Sequence, residues 1–134
     1  MSQSAEAKVL KTLNGVTFFA KVAVERDEHL SDVEDGTPAI VDRDAGEVNR
    51  ASAPGLVDAA IRGARECVES LVRRGRIGSF VGLRVVRVVG SVVDTTPDVV
   101  ACAAWLATFK VLQQGAALPD VVRTGDGWSV ADLE

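Results

Sequence analysis

The eleven residues from Val99 to Phe109 carry no charge, and they follow a strong helix start, Thr95-Thr96-Pro97-Asp98. A hydroxyl cap, a proline in the first turn and an acid facing the positive end of the helix dipole all favour initiation there. A helix that is apolar all round is covered on more than one side. Its far face, at Val100, Ala104, Thr108 and Val111, therefore requires cover, from a second copy or from the chain's own tail. The tail offers a small hairpin, Val121 to Thr124 and Trp128 to Val130 around Gly125-Asp126-Gly127, and Trp128 is large enough to anchor a contact. These four helix residues and Trp128 are the candidate oligomer interface. Leu133-Glu134 is expected to fray.

The rest of the chain supplies what such a helix packs on. Pro54 opens a second helix, with Ser52 as its candidate cap, and Val57, Ala60, Ile61, Ala64, Val68, Leu71 and Val72 form one apolar stripe ending near Arg73-Arg74-Gly75. Gly63, mid-helix, costs about 1 kcal/mol against alanine, so close approach to a neighbouring backbone is its expected reason. Leu83 to Val89 is a β-branched run between Gly82 and Gly90, a central strand candidate. Lys8 to Leu13 and Val16 to Glu25 flank Asn14-Gly15, the dipeptide best suited to a type I′ hairpin turn. Alternation in the second arm sends Val16, Phe18, Ala20, Val22 and Val24 inward. Ala39 to Asp42 reads as a short strand, with a few extended residues at Glu47-Val48. The expected core is Phe18, Val22, Val24, Ile40, Val57, Ile61, Ala64, Val68, Leu71, Leu83, Val85, Val99, Cys102, Leu106 and Phe109.

With 134 residues, 47% hydrophobic and 25% charged, the chain fits one domain that buries roughly two-thirds of its unfolded surface. Two cysteines, Cys67 and Cys102, are too few for a disulfide framework or a zinc site and read as buried reduced thiols, which suits the cytoplasm. The polar start Met1-Ser2-Gln3-Ser4 lacks a signal-peptide pattern, and no apolar run reaches the roughly 18 residues of a membrane span, so no membrane partner is expected.

Charge is unevenly placed on a chain of net charge -4. Glu25 to Asp35 holds six acids against Arg26, with the only histidine, His29, and reads as a solvated loop. Its acids lack the spacing of a calcium loop, and His29 has no serine or cysteine beside it. Between Ser70 and Val93 stand Arg73, Arg74, Arg76, Arg84 and Arg87 and no acid. That segment is a candidate RNA or partner contact. The reading favoured over RNA contact is a charge patch complementary to the acidic loop, within or between subunits. Arg84 and Arg87 have opposite parity and would not share a face of a regular strand.

Three stretches resemble a known family. Ile40-Val41-Asp42-Arg43-Asp44-Ala45-Gly46-Glu47-Val48 resembles the strand and glycine turn before the first helix of domain IV of translation elongation factor G. Leu56 to Ser70 is similar to that helix, through Arg62-Gly63, Arg65-Glu66 and Glu69-Ser70. Gly78-Ser79-Phe80-Val81 and Leu83 to Ser91 resemble the Gly-aromatic turn and the strand ending in Gly-Ser, and Thr95-Thr96 and Phe109-Lys110 fit the last helix. The resemblance implies a ribosomal protein S5 domain 2-like fold: a two-layer α+β sandwich, with a mixed or antiparallel sheet of about four strands and two helices on one face. Residues 1–118 would form that domain and 119–134 its hairpin extension. The family's two tip loops, which reach the decoding centre, are shortened here to Asn14-Gly15 and Gly90-Ser91-Val92-Val93-Asp94, and no GxxxxGK[ST] phosphate loop occurs. The expectation is a non-catalytic protein-interaction or oligomerisation module without cofactor, metal or nucleotide. The alternative is an RNA- or ribosome-associated factor using the 73–87 arginines.

Overall fold

A computed structural model describes residues 3–91 and 93–131. Strands β1 (Ser4–Leu13) and β2 (Val16–Arg26) form the expected hairpin, longer than the sequence suggests. Asn14 and Gly15 both take positive φ, 52° and 80°, as a two-residue I′ turn requires. Strand β3 (Val33–Asp35) and strand β4 (Glu47–Val48) are short, and helix α1 (Pro54–Arg73) follows. Strand β5 (Leu83–Val89) leads to helix α2 (Pro97–Leu112), then to the hairpin of β6 (Val121–Thr124) and β7 (Gly127–Val130).

The main sheet is ordered β1-β2-β5-β3, with β4 also pairing with β5. β3 runs parallel to β5 and the other pairs are antiparallel. Ala7, Val9, Ala20, Val22, Val24, Leu83, Val85 and Val88 are buried on the sheet's inner face, under the two helices. The result is an α+β architecture with a mixed five-stranded sheet and two helices.

The helices meet at Gly63, where an added Cβ would lie 2.1 Å from the carbonyl oxygen of Ala101, so the expected close backbone approach is present. α1 stops in a Schellman motif. Gly75 has φ of +71°, its N–H donates to Val72 O at 3.0 Å, and Arg76 N–H donates to Leu71 O at 2.9 Å.

Several expectations change. The segment Ala39–Asp42 is not a strand, and Ile40 is 90% exposed rather than in the core. The reason is Asn49, a buried side chain whose amide donates to Pro38 O and Ala39 O, tying that backbone into a loop. Ser52 caps nothing. Its hydroxyl accepts Asn49 N–H at 3.0 Å, and Ala53 occupies the N-cap position. Thr96 does sit at the N-cap of α2, but its hydroxyl bonds to the Asp98 carboxylate instead of a backbone N–H. The acidic run is not all loop, because β3 lies inside it and Val33 is buried. Phe18 and Ile61 are partly buried against the core, and Val16, expected to point inward, is exposed because it closes the hairpin beside the Asn14-Gly15 turn, beyond the reach of the helices. Leu133-Glu134 and Val92 lie outside the described residues.

Candidate interaction site

One irregularity decides how the arginines are placed. Along β2 and β5, Ala23 faces Arg87 but Val24 faces Val85, so Val86 is an extra residue on β5. Such a bulge reverses the parity beyond it. Arg84, opposite Glu25, and Arg87, opposite Ala23, consequently share the outer face, contrary to the expectation from regular alternation. Both described helices that pack on the sheet lie on its other face.

There the arginines meet carboxylates. Arg87 Nε donates to Glu47 at 2.9 Å on β4, and its Nη1 lies 3.3 Å from Glu6 on β1. The small side chain of Ala23, on the intervening strand, leaves room for that reach. Glu6 also lies 3.8 Å from Lys21. Arg84 donates to Asp27 at 2.9 Å and is flanked in register by Glu25 and Glu34.

The acidic run is matched the same way from α1 and its approach. Arg65 binds Asp32 at 3.0 Å, and Arg50 binds Asp35 at 3.2 Å and Asp58 at 2.8 Å. The Arg65 guanidinium and then the Val33 N–H hold the Asp32 carboxyl below its ordinary range. At Asp35 desolvation works upward, but the Thr37 hydroxyl and N–H together with Arg50 outweigh it and the carboxyl is lowered. The charge complement is thus internal to the chain for Arg84. Arg73 and Arg74 stand exposed at the end of α1, and Arg76 is exposed just beyond them.

His29 is exposed, and its backbone N–H donates to Asp27 Oδ1 at 2.9 Å. It lines a cleft of about 550 Å³ with Gln3, Glu25, Arg26, Asp27, Glu28 and Arg84. Among the described residues that lining has no serine, threonine, cysteine or lysine to serve as a nucleophile beside His29. Among the described residues no group of three or more His, Cys, Asp or Glu side chains stands ready for a metal ion. Burial pushes the Cys102 thiol up to about 12, aided by Asp98 and Glu66, and raises Cys67 further, so neither is a reactive thiolate.

The candidate oligomer residues Val100, Ala104, Thr108 and Val111 are buried within the single chain, and the Thr108 hydroxyl donates to Ala104 O. The apolar helix is enclosed by α1, the sheet and the tail hairpin, which removes these four as a surface for a second copy. Trp128 does anchor the tail. Its backbone N–H donates to Asp98 Oδ2 at 2.6 Å, its ring meets Phe18 edge-on at 5.5 Å, and the Arg123 guanidinium lies 5.3 Å from its centroid.

What the sequence did not single out is the edge of β1. Arg26 N–H donates to Gln3 O, which fixes odd-numbered residues of β1 as those bonded to β2. The N–H and C=O groups of Ser4, Glu6, Lys8 and Leu10 therefore point away from the sheet. Lys110 Nζ, donating to Glu6 O at 2.8 Å, confirms the direction. The signal was present in the length of the first apolar-polar arm, but which edge stays free depends on the strand order.

No family model matches the chain, and no curated protein does. Among solved structures, a crystal structure of a protein from Thermus thermophilus is similar, with a TM-score of 0.63 and 16% identity. The likeness covers 84% of this chain and 16% of that one, so this chain corresponds to a small part of the larger protein and shares its fold there. Among the described residues no helix is long and apolar enough to cross a membrane.

Proposed function

We propose that this chain is a non-catalytic interaction module on an elongation factor G domain IV-like scaffold, of ribosomal protein S5 domain 2-like topology, working in the cytoplasm by binding protein, beginning with a second copy of itself. The order hairpin, short strands, helix, strand, helix supports the scaffold. So does the placement of the two tip positions at one end of the sheet: Phe19 N–H donates to Asp94 O, and the Thr95 hydroxyl donates to Phe19 O. The two-residue turn at Asn14-Gly15 leaves no extended loop there, which argues against translocation in that family's manner.

The observation that carries the interaction reading is where the surface is left unfinished. The chain's own tail covers α2, and ion pairs knit the outer face, while among the described residues β1 is a ten-residue terminal strand of the sheet with Leu10 57% exposed on it. Long free edges invite strand pairing. Sedimentation velocity over a concentration series tests this reading, and a strict monomer at every concentration refutes self-association.

A second reading, an RNA- or ribosome-associated factor, has in its favour the exposed Arg73 and Arg74. Against it, Arg84 and Arg87 are already held by carboxylates. Cosedimentation with ribosomes that weakens with salt supports that reading, and none at low salt removes it.

A further inference from the structure

We propose that the free edge of β1 pairs antiparallel with β1 of a second copy, in the register that sets Glu6 of each chain against Lys8 of the other. This rests on the self-association reading above and names its surface. The edge groups belong to Ser4, Glu6, Lys8, Leu10 and Thr12, whose side chains all lie on the outer face, and the first four are used here. In an antiparallel pair related by a two-fold axis, only registers that face even residues with even residues use those groups.

Charge then selects among them. The register centred on Lys8 opposes two lysines, and the one centred on Glu6 opposes two glutamates, each unfavourable. The register centred on Ala7 gives two Glu6–Lys8 pairs and sets Ser4 against Leu10 of the second copy at both ends. Its four facing pairs supply about eight backbone hydrogen bonds. Lys110 occupies one lone pair of the Glu6 carbonyl, and a carbonyl has a second to accept the Lys8 N–H of the other copy. A lone strand edge buries less than a standard interface, so the dimer is micromolar or weaker.

Lys8→Glu separates the pairing from folding. Within one chain Lys8 faces Lys21 directly, so the substitution replaces a like-charge pair by an opposite one and leaves the unfolding midpoint unchanged or higher. Across the dimer it sets the introduced carboxylate against Glu6 in both facing pairs, and the dissociation constant rises about tenfold or more. Leu10→Pro removes an N–H that serves no bond to β2, and the ring blocks the edge, so the dimer is lost while the fold persists. Ser4→Cys with Leu10→Cys forms a covalent dimer on mild oxidation, free of interference from the two buried native thiols.

Sedimentation equilibrium of the wild type and these variants, from micromolar to near-millimolar, reads all three. A wild-type dimer weakened by Lys8→Glu and abolished by Leu10→Pro is the expected result. A dimer indifferent to both variants overturns the edge and leaves self-association through another surface standing. A wild-type monomer throughout overturns both.

Discussion

Replacing Gly63 by alanine sets two effects of known size against each other. In a free helix the change gains about 1 kcal/mol of propensity. Here the new Cβ falls 2.1 Å from the Ala101 carbonyl oxygen and 2.7 Å from that residue's carbonyl carbon and Cα. Ordinary contact demands that α1 and α2 part by about 1.3 Å, and the obstacle is backbone, which has no rotamer to escape into. Forced overpacking of this kind costs about 1–3 kcal/mol, and here it also loosens α2 from the sheet beneath. The clash wins, with a net loss of about 1–2 kcal/mol. Urea denaturation followed by circular dichroism should show the midpoint lower by about 1 M at unchanged slope, with Tm down by about 4–8 °C. Equal or greater stability in Gly63→Ala would refute the close helix crossing, and with it the reason for a glycine inside α1.

Trp128→Ala should cost about 1–3 kcal/mol through lost contact with Phe18 and Arg123, and should make the Gly125–Asp126 turn a site of limited proteolysis that the wild type resists. Asp32 has a folded pKa below its unfolded value, so its contribution is full above about pH 4 and vanishes as pH falls through the folded value. Asp32→Asn should therefore lower the unfolding free energy slightly at pH 6, by roughly a few tenths of a kcal/mol for so exposed a pair, read as a small drop in the urea midpoint, and not at all near pH 2. Cys67 and Cys102 should resist a thiol reagent at pH 8 in the native protein and react together on unfolding.

Periodicity made the well-packed elements legible. The bounds of α1 and β5 follow from Pro54, Gly75, Gly82 and Gly90, and the Asn14-Gly15 turn sets the hairpin register. The two caps failed through near neighbours, Asn49 for Ser52 and Asp98 for Thr96, whereas the other failures come from partners elsewhere in the chain. β3 has one apolar residue, Val33, between acids, and becomes a strand because Leu83–Val85 offers a parallel edge while Arg65, Arg84 and Arg50 neutralise its surroundings. Ile40 looked like core until Asn49 claimed the carbonyls beside it. The bulge at Val86 left no mark in a run of valines, yet it alone places Arg84 and Arg87 side by side. The apolar face of α2 did call for cover, and the tail hairpin, not a second copy, meets that need.

Residue-resolved hydrogen exchange at two protein concentrations tests self-association through β1. The amides of Ala5, Ala7 and Val9 bond to β2 and should be protected at both. Those of Glu6, Lys8 and Leu10 point to the free edge, and with edge pairing they exchange rapidly in dilute solution and become protected as concentration rises. Edge amides that exchange rapidly at every concentration would contradict it.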